Sequence, residues 1–109
     1  MNTDLIEIRQ TAEGVAIRLA GDIDMTNADG IGEQIDDAIT NQATLVEVDL
    51  AEVTYLDSAG LRVLSNLAGR LQRLQIQLRV LAPAGSAARH VIELTGLTEF
   101  VQVYDDEVG

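Results

Sequence analysis

The chain has 109 residues, 47% of them hydrophobic, which predicts one domain over residues 1–109 with its core at about residues 5–104. A net charge of −11, seven arginines, no lysine and 3% aromatic residues argue against a nucleic-acid partner, because such binders need a basic surface and stacking side chains. With no cysteine, no long apolar run and no signal-peptide pattern, we expect a cytoplasmic protein that has no disulfide and does not insert into a membrane.

Two alternating runs at the start of the chain predict a β-hairpin. Ile6 and Ile8 share one side of the first run, and the apolar residues of 15–19 share one face of the second. From Thr26 onwards the apolar spacing changes to that of an amphipathic helix. Thr26 and Asp29 are spaced like a capping box, which would begin this helix.

The remaining elements alternate between strands and helices. Residues 45–50 predict a strand with one apolar face and one acidic face, on which Arg18 would reach Glu47 or Asp49. Residues 78–81 and 100–104 predict strands on either side of a third helix at 83–94, and the acidic tail at 105–109 is expected to fray. The helix after Ser58 has a predicted core stripe of Leu61, Leu64, Leu67, Ala68, Leu71 and Leu74.

The predicted order is β-β-α-β-α-β-α-β, which favours an α/β fold with a mixed, mostly parallel sheet and helices packed mainly on one face. In such sheets, ligands and reactive groups gather where strands end and helices begin. Asp57 and Ser58 occupy such a boundary. From the residues alone, Ser58 could simply cap the second helix, with Gly60 relaxing a tight turn.

The segment LDSAGL, residues 56–61, resembles the D-S-x-G-L signature of STAS domains, specifically the bacterial anti-sigma factor antagonists. The V-x-V-D-L of residues 46–50, the L-T-G-L of residues 94–97 and the G-D-I-D of residues 21–24 resemble the same family. The similarity extends from about residue 5 to residue 105, in the same order of elements. It implies a STAS-type fold and a protein that is not an enzyme and uses neither a cofactor nor a metal.

The resemblance also implies a regulatory switch at Ser58. In that family an ATP-dependent anti-sigma factor serine kinase phosphorylates the matching serine, and a metal-dependent phosphatase restores it. The unphosphorylated form binds the anti-sigma factor and releases the sigma factor. The same resemblance implies that Asp24 lies near Ser58 on the partner-facing surface. We predict a partner-binding surface formed by Asp24, Asp57, Ala59, Gly60 and Arg62, in which Arg62 would contact an acidic partner or position the phosphate.

The sequence departs from the family in two places. Ala59 stands where a second serine is common, which removes an alternative phosphoacceptor. The chain stops where many relatives add a C-terminal helix, so partner contacts made by that helix are not expected. We expect a monomer, with a dimer as the alternative.

Other functions fit parts of the sequence. A STAS domain could instead serve a stress-signalling complex or a lipid-transport system, because the same surface can meet different partners. Residues 22–26 match the D-x-D-x-T motif of haloacid-dehalogenase-type phosphotransferases, with Asp22 as nucleophile and magnesium as cofactor, although the chain has no lysine for that family's third motif. A hydrolase at Ser58 would need His90 as its base, outside a G-x-S-x-G motif, and a receiver-like phosphoacceptor at Asp57 lacks the expected lysine.

Overall fold

A computed structural model describes residues 5–96 and 102–105 of the chain. Within these residues the elements are β1 (Ile6–Gln10), β2 (Gly14–Ile23), α1 (Ala28–Ala38), β3 (Leu45–Leu56), α2 (Ser58–Leu74), β4 (Gln77–Leu81), α3 (Ala87–Thr95) and β5 (Gln102–Tyr104). The strands form one sheet in the order β1-β2-β3-β4-β5, with β1 antiparallel to β2 and the other neighbours parallel. The predicted order of elements and the mixed, mostly parallel sheet are confirmed.

One face of the sheet carries the core. Each parallel crossover joins neighbouring strands, and right-handed crossovers place all the connecting helices on the same side. Alternate residues of the central strands are buried beneath these helices: Val15, Ile17, Leu19, Val46, Val48, Leu50, Leu78 and Val80. The helices bury against them Ile31, Ile35, Leu64, Leu67, Leu71 and Ile92.

The opposite face of the sheet is polar and partly exposed, as the alternating carboxylates of β3 predicted. The Arg18 guanidinium lies 3.5 Å from the Asp49 carboxylate on the neighbouring strand, which confirms one of the two predicted pairings. Glu47 pairs instead with Arg79, at 3.1 Å, and the Arg79 guanidinium lies 5.4 Å from the centre of the Tyr104 ring. This face therefore carries ion pairs between neighbouring strands.

Two predicted helix starts are wrong. The capping box of Thr26 and Asp29 is not formed, because Thr26 donates from both its N–H and its hydroxyl to Asp24, and α1 begins at Ala28. The third helix begins at Ala87 rather than at residue 83, since the Ser86 hydroxyl caps it by accepting the N–H of Arg89 at 3.2 Å.

Three further features differ from expectation: the end of a strand, the burial of one side chain and the order of the first tail residue. Strand β3 runs six residues beyond the predicted 45–50, up to the Asp57 turn. Leu74, predicted to be in the core stripe, is exposed at the end of α2. Asp105 forms an ion pair with Arg89 instead of fraying. Residues 100 and 101 of the predicted last strand and residues 106–109 of the tail lie outside the described residues. Among the described residues no helix is both long and apolar enough to span a membrane.

Candidate functional site

The carboxyl ends of β2 and β3 lie side by side, at the end of the sheet where these parallel strands terminate. Ile23 and Leu56 are register partners, and the N–H of Asp57 donates to the carbonyl of Ile23 at 3.2 Å. Asp24 and Asp57 are the next residues after these partners, so the structure brings both predicted partner-facing carboxylates to the same edge. We call residues 22–26 and 54–62, which surround this point, the acidic edge.

Asp57, rather than Ser58, is the N-cap of α2. Its backbone is extended, and its Oδ1 accepts the N–H of Ala59 at 2.9 Å and that of Gly60 at 3.2 Å. The expectation that Ser58 caps the helix is therefore wrong. Ser58 is the first residue of α2 and is exposed, so the turn presents its hydroxyl to solvent while the neighbouring carboxylate satisfies the backbone.

Gly60 allows α2 to begin close against the strand ends. A Cβ at this position would lie 2.5 Å from Cδ1 of Leu56, 2.9 Å from Cγ2 of Ile23 and 3.1 Å from the carbonyl oxygen of Ile23. Real side chains do not make contacts this short, so another residue would push the helix away. Gly60 is itself buried, and it acts on the acidic edge by fixing where Ser58 stands.

The loop between β2 and α1 is held by Asp24. Its Oδ1 accepts the Thr26 hydroxyl at 2.6 Å and the Thr26 N–H at 2.9 Å, and its carbonyl accepts the N–H groups of Asn27 and Ala28. The hydroxyl of Thr26, followed by the backbone N–H of Thr26, holds the pKa of Asp24 below its ordinary value. Asp24 therefore stays ionised to a lower pH than an aspartate without these hydrogen bonds.

Arg62 lies four residues after Ser58, so the two side chains lie on the same face of α2. Arg62 is exposed and makes no ion pair with another described residue. Ala59, between them, is half-buried and contributes its N–H to the Asp57 cap. Arg62 thus supplies a positive charge one helical turn from Ser58, which directly follows the carboxylate of Asp57.

Two exposed apolar residues of the acidic edge were not singled out by the sequence analysis. Met25 is 78% exposed in the loop after β2, and Tyr55 is 51% exposed near the end of β3. The available signal was that Met25 interrupts a polar run, but sequence periodicity does not say whether a loop methionine folds inwards. Tyr55 is the register partner of Asp22, on the same sheet edge.

The alternative catalytic sites gain no support from the described residues. The Asp22 carboxylate accepts the Thr54 hydroxyl at 2.7 Å, while that of Asp24 is engaged with Thr26. The part of the chain that the structure describes contains no group of three or more His, Cys, Asp or Glu side chains that could hold a metal. His90 is an exposed residue of α3, on a different helix from Ser58.

The sequence of the chain matches a known domain family over most of its length. The sequence profile of the STAS domain matches residues 5–108. The chain belongs to the STAS domain family. The curated anti-sigma-B factor antagonist of Listeria monocytogenes is 29% identical over 103 residues, which cover 94% of this chain and 90% of that protein.

Solved structures agree with this assignment. An anti-sigma factor antagonist from Mycobacterium paratuberculosis superposes with a TM-score of 0.82 at 26% identity, covering 93% of this chain and 85% of the other. The Bacillus cell fate determinant SpoIIAA, solved in its phosphorylated form, shares the fold with a TM-score of 0.71 at 23% identity, covering 90% of this chain and 89% of the other. The predicted STAS-type α/β fold is therefore confirmed.

The signature of this STAS domain divides into two kinds of residue. Asp57 and Gly60 build the turn, the first as helix cap and the second as a point of close packing. Ser58 and Arg62 project from the turn and are exposed. The first pair is required by the fold, whereas the second pair is available to another molecule.

Proposed function

We propose that this protein is an anti-sigma factor antagonist of the cytoplasm, without catalytic activity, whose binding to an anti-sigma factor serine kinase is switched off by phosphorylation of Ser58. The observation that carries the proposal is the exposed Ser58 hydroxyl at the first position of α2, next to an Asp57 that performs the capping. The names of the relatives from Listeria and Mycobacterium support the choice of partner. The phosphorylated SpoIIAA structure supports the chemistry on the same fold.

The chemical step belongs to the kinase. The Ser58 oxygen attacks the γ-phosphorus of ATP, the bond from that phosphorus to the oxygen bridging the β- and γ-phosphates breaks, and the hydroxyl proton passes to a base of the kinase, giving phosphoserine and ADP. The antagonist contributes an accessible nucleophile on a rigid helix start. A cognate metal-dependent phosphatase would hydrolyse the phosphate and return the protein to its binding form.

The acidic edge explains why a phosphate would alter binding without unfolding the domain. A phosphate adds about −1.5 to −2 charges at a helix N-terminus, where the helix dipole favours negative charge. The same charge lies next to Asp57 and close to Asp24, so the surface becomes strongly negative. The phosphate would also neutralise Arg62 and stand opposite the acidic partner group that Arg62 contacts in the unmodified form. Like charges brought together across an interface cost several kcal/mol, and because about 1.4 kcal/mol corresponds to a factor of ten, binding would weaken about 100-fold or more.

The remaining site residues have supporting parts in this proposal. Asp24 presents its carboxylate to a basic partner surface, Asp57 presents only the Oδ2 that takes no part in the helix cap, and Ala59 and Gly60 set the shape of the helix start. Arg62 contacts an acidic group of the partner in the unmodified form and neutralises part of the phosphate in the modified form. Each role follows from the position of the residue at the acidic edge.

Phosphorylation in vitro tests the acceptor site. The anti-sigma factor serine kinases of the protein's own organism are purified and incubated with the protein and radiolabelled Mg-ATP. We expect at least one kinase to transfer one phosphate per chain to the wild type and none to Ser58→Ala. Ser65→Ala is the matched control, because Ser65 is also an exposed serine of α2, and it should behave as the wild type. Uptake by Ser58→Ala at the wild-type stoichiometry, or no uptake by the wild type from any kinase, would contradict the proposal.

Binding of the unmodified protein tests the carboxylates. Asp24→Asn removes the charge but keeps an oxygen that can accept from Thr26, so we expect weaker kinase binding and an unchanged melting temperature. Asp37→Asn is the control, because Asp37 is an exposed carboxylate on α1 that lies well beyond the acidic edge. Equal dissociation constants for Asp24→Asn and wild type would remove Asp24 from the docking surface.

A further inference from the structure

We propose that Met25, together with Tyr55, is the apolar anchor by which the acidic edge docks onto its kinase, an inference that rests on the proposed function. The anchor would enter an apolar pocket of the kinase that is bordered by basic side chains. Met25 has the greatest exposure among the large hydrophobic side chains of the described residues, at 78%. Exposed methionine costs free energy in water, and methionine and aromatic residues are enriched where proteins bind each other.

The kinase is the occupant because its cleft must reach the Ser58 oxygen. The carbonyl of Ile23 lies 3.2 Å from the N–H of Asp57, and Met25 and Ser58 follow these groups by one or two residues. Chain dimensions then place the α carbons of Met25 and Ser58 within about 15 Å of each other. A standard interface buries about 800 Å² on each partner, a disc of about 16 Å radius, so an interface centred on Ser58 covers Met25.

Tyr55, near the end of β3, also lies within the area that an interface centred on Ser58 would cover. It precedes Ser58 by three residues, a span of at most about 11 Å, and it is 51% exposed. Its register partner on the neighbouring strand is Asp22, whose carboxylate accepts the Thr54 hydroxyl at 2.7 Å. Tyrosine is among the residues that most often dominate binding energy.

The loop that carries Met25 is already held in place. Asp24 on one side of Met25 accepts two hydrogen bonds from Thr26 on the other side, at 2.6 Å and 2.9 Å. A preformed loop loses little conformational entropy on binding, which favours affinity. The acidic residues around the anchor would repel an acidic surface, and this specifies a basic border for the pocket.

The chain offers a control for the Met25 substitution at the opposite end of the strands. Leu94 is 73% exposed, almost as much as Met25, but it lies in the last turn of α3. Helix α3 begins beyond the carboxyl end of β4 and runs back across the sheet, so its last turn lies near the amino ends of the parallel strands, away from Ser58. An effect of general surface hydrophobicity would appear in both variants, whereas an anchor effect appears only at Met25.

The experiment uses the kinase that phosphorylates the wild type in the assay above. Calorimetry gives the dissociation constant of unmodified protein, and initial rates give KM and kcat for phosphorylation. We expect Met25→Ala and the isosteric polar variant Met25→Gln to raise both Kd and KM about tenfold, with kcat unchanged. Leu94→Ala should change neither by more than about twofold, and Met25→Leu should retain most of the affinity. The melting temperatures should match, because the side chain is exposed.

The outcomes separate the two claims. If the wild type is phosphorylated on Ser58 but Met25→Ala and Met25→Gln bind with the wild-type Kd, the anchor is wrong and the proposed function stands. If Leu94→Ala weakens binding as much as Met25→Ala, the anchor is also wrong. If no kinase of the organism modifies the wild type, the proposed function fails and the anchor fails with it.

Discussion

At the scale of single residues, the position of Ser58 depends on the absence of a side chain at Gly60. Gly60 has no Cβ, and one placed there would meet Leu56 and Ile23 at 2.5 and 2.9 Å. We predict that Gly60→Ala lowers the free energy of unfolding by about 1 to 3 kcal/mol, because the start of α2 must move away from the strand ends. Urea denaturation followed by circular dichroism measures this change.

A second glycine provides the control for that substitution. Gly30 lies in α1, and a Cβ there would have no neighbouring heavy atom within 4 Å. Gly30→Ala should therefore raise the free energy of unfolding by up to about 1 kcal/mol, since alanine favours the helix and finds open space. Destabilisation of both variants by similar amounts would show that crowding at Gly60 is not the cause.

Arg62 gives a second prediction at this scale. A guanidinium one turn away favours the dianionic form of a phosphate on Ser58 and so lowers the second pKa of that phosphate. Removing the charge in Arg62→Gln should raise this pKa by about 0.2 to 0.7, the range that corresponds to an exposed ion pair. Phosphorus NMR against pH on protein with phosphoserine at position 58 measures it. Arg73→Gln, in the last turn of the same helix, should leave the pKa unchanged; equal values for the wild type and Arg62→Gln would refute the contact.

At the scale of elements, the start of α2 depends on its cap. Asp57 accepts two backbone N–H groups, at 2.9 and 3.2 Å, that α2 leaves without a helical partner. Asp57→Ala should cost about 0.5 to 2 kcal/mol of stability, and Asp57→Ser should recover most of the loss because serine is also a favoured cap. Thermal denaturation of both variants tests this, and an Asp57→Ala protein as stable as the wild type would contradict the cap assignment.

The elements were predictable where side-chain periodicity determines them. Alternation in β2 and β3 and the three-to-four spacing in α2 follow directly from burial on one face. Helix starts were less predictable because polar residues compete for the same backbone groups. Thr26 and Asp29 satisfied the spacing of a capping box, but Asp24 accepts the Thr26 hydrogen bonds instead.

The composition of the acidic edge was predictable only in part. Asp57 and Ser58 were found from the sequence. Aspartate and serine are both favoured N-cap residues, so the residue types do not decide which of the two caps the helix; the backbone angles do. The exposure of Met25 could not be predicted, because nothing in a loop's periodicity fixes the direction of an apolar side chain. Leu74 was mispredicted for a similar reason. It continues the apolar spacing of α2, but at the end of the helix it is exposed.

At the scale of the whole molecule, the core and the proposed switch occupy different parts of the structure. The core lies between one face of the sheet and the helices, while the proposed switch lies at the sheet edge, where Ser58 is exposed and Gly60 is buried. A phosphate at Ser58 adds charge to a chain that already carries −11, yet it replaces no core contact. We therefore predict that phosphorylation changes the melting temperature by less than about 4 °C, the shift that roughly 1 kcal/mol produces in a domain of this size.

The dissociation constant of the kinase complex, measured for unmodified protein and for protein with phosphoserine at position 58, shows whether phosphorylation switches binding. Calorimetry with ADP present prevents turnover during the titration, and circular dichroism on the same samples reports the fold. We predict that the phosphorylated form binds about 100-fold more weakly, with an unchanged spectrum. Equal affinity of the two forms, or a loss of structure that accompanies the phosphate, would contradict it.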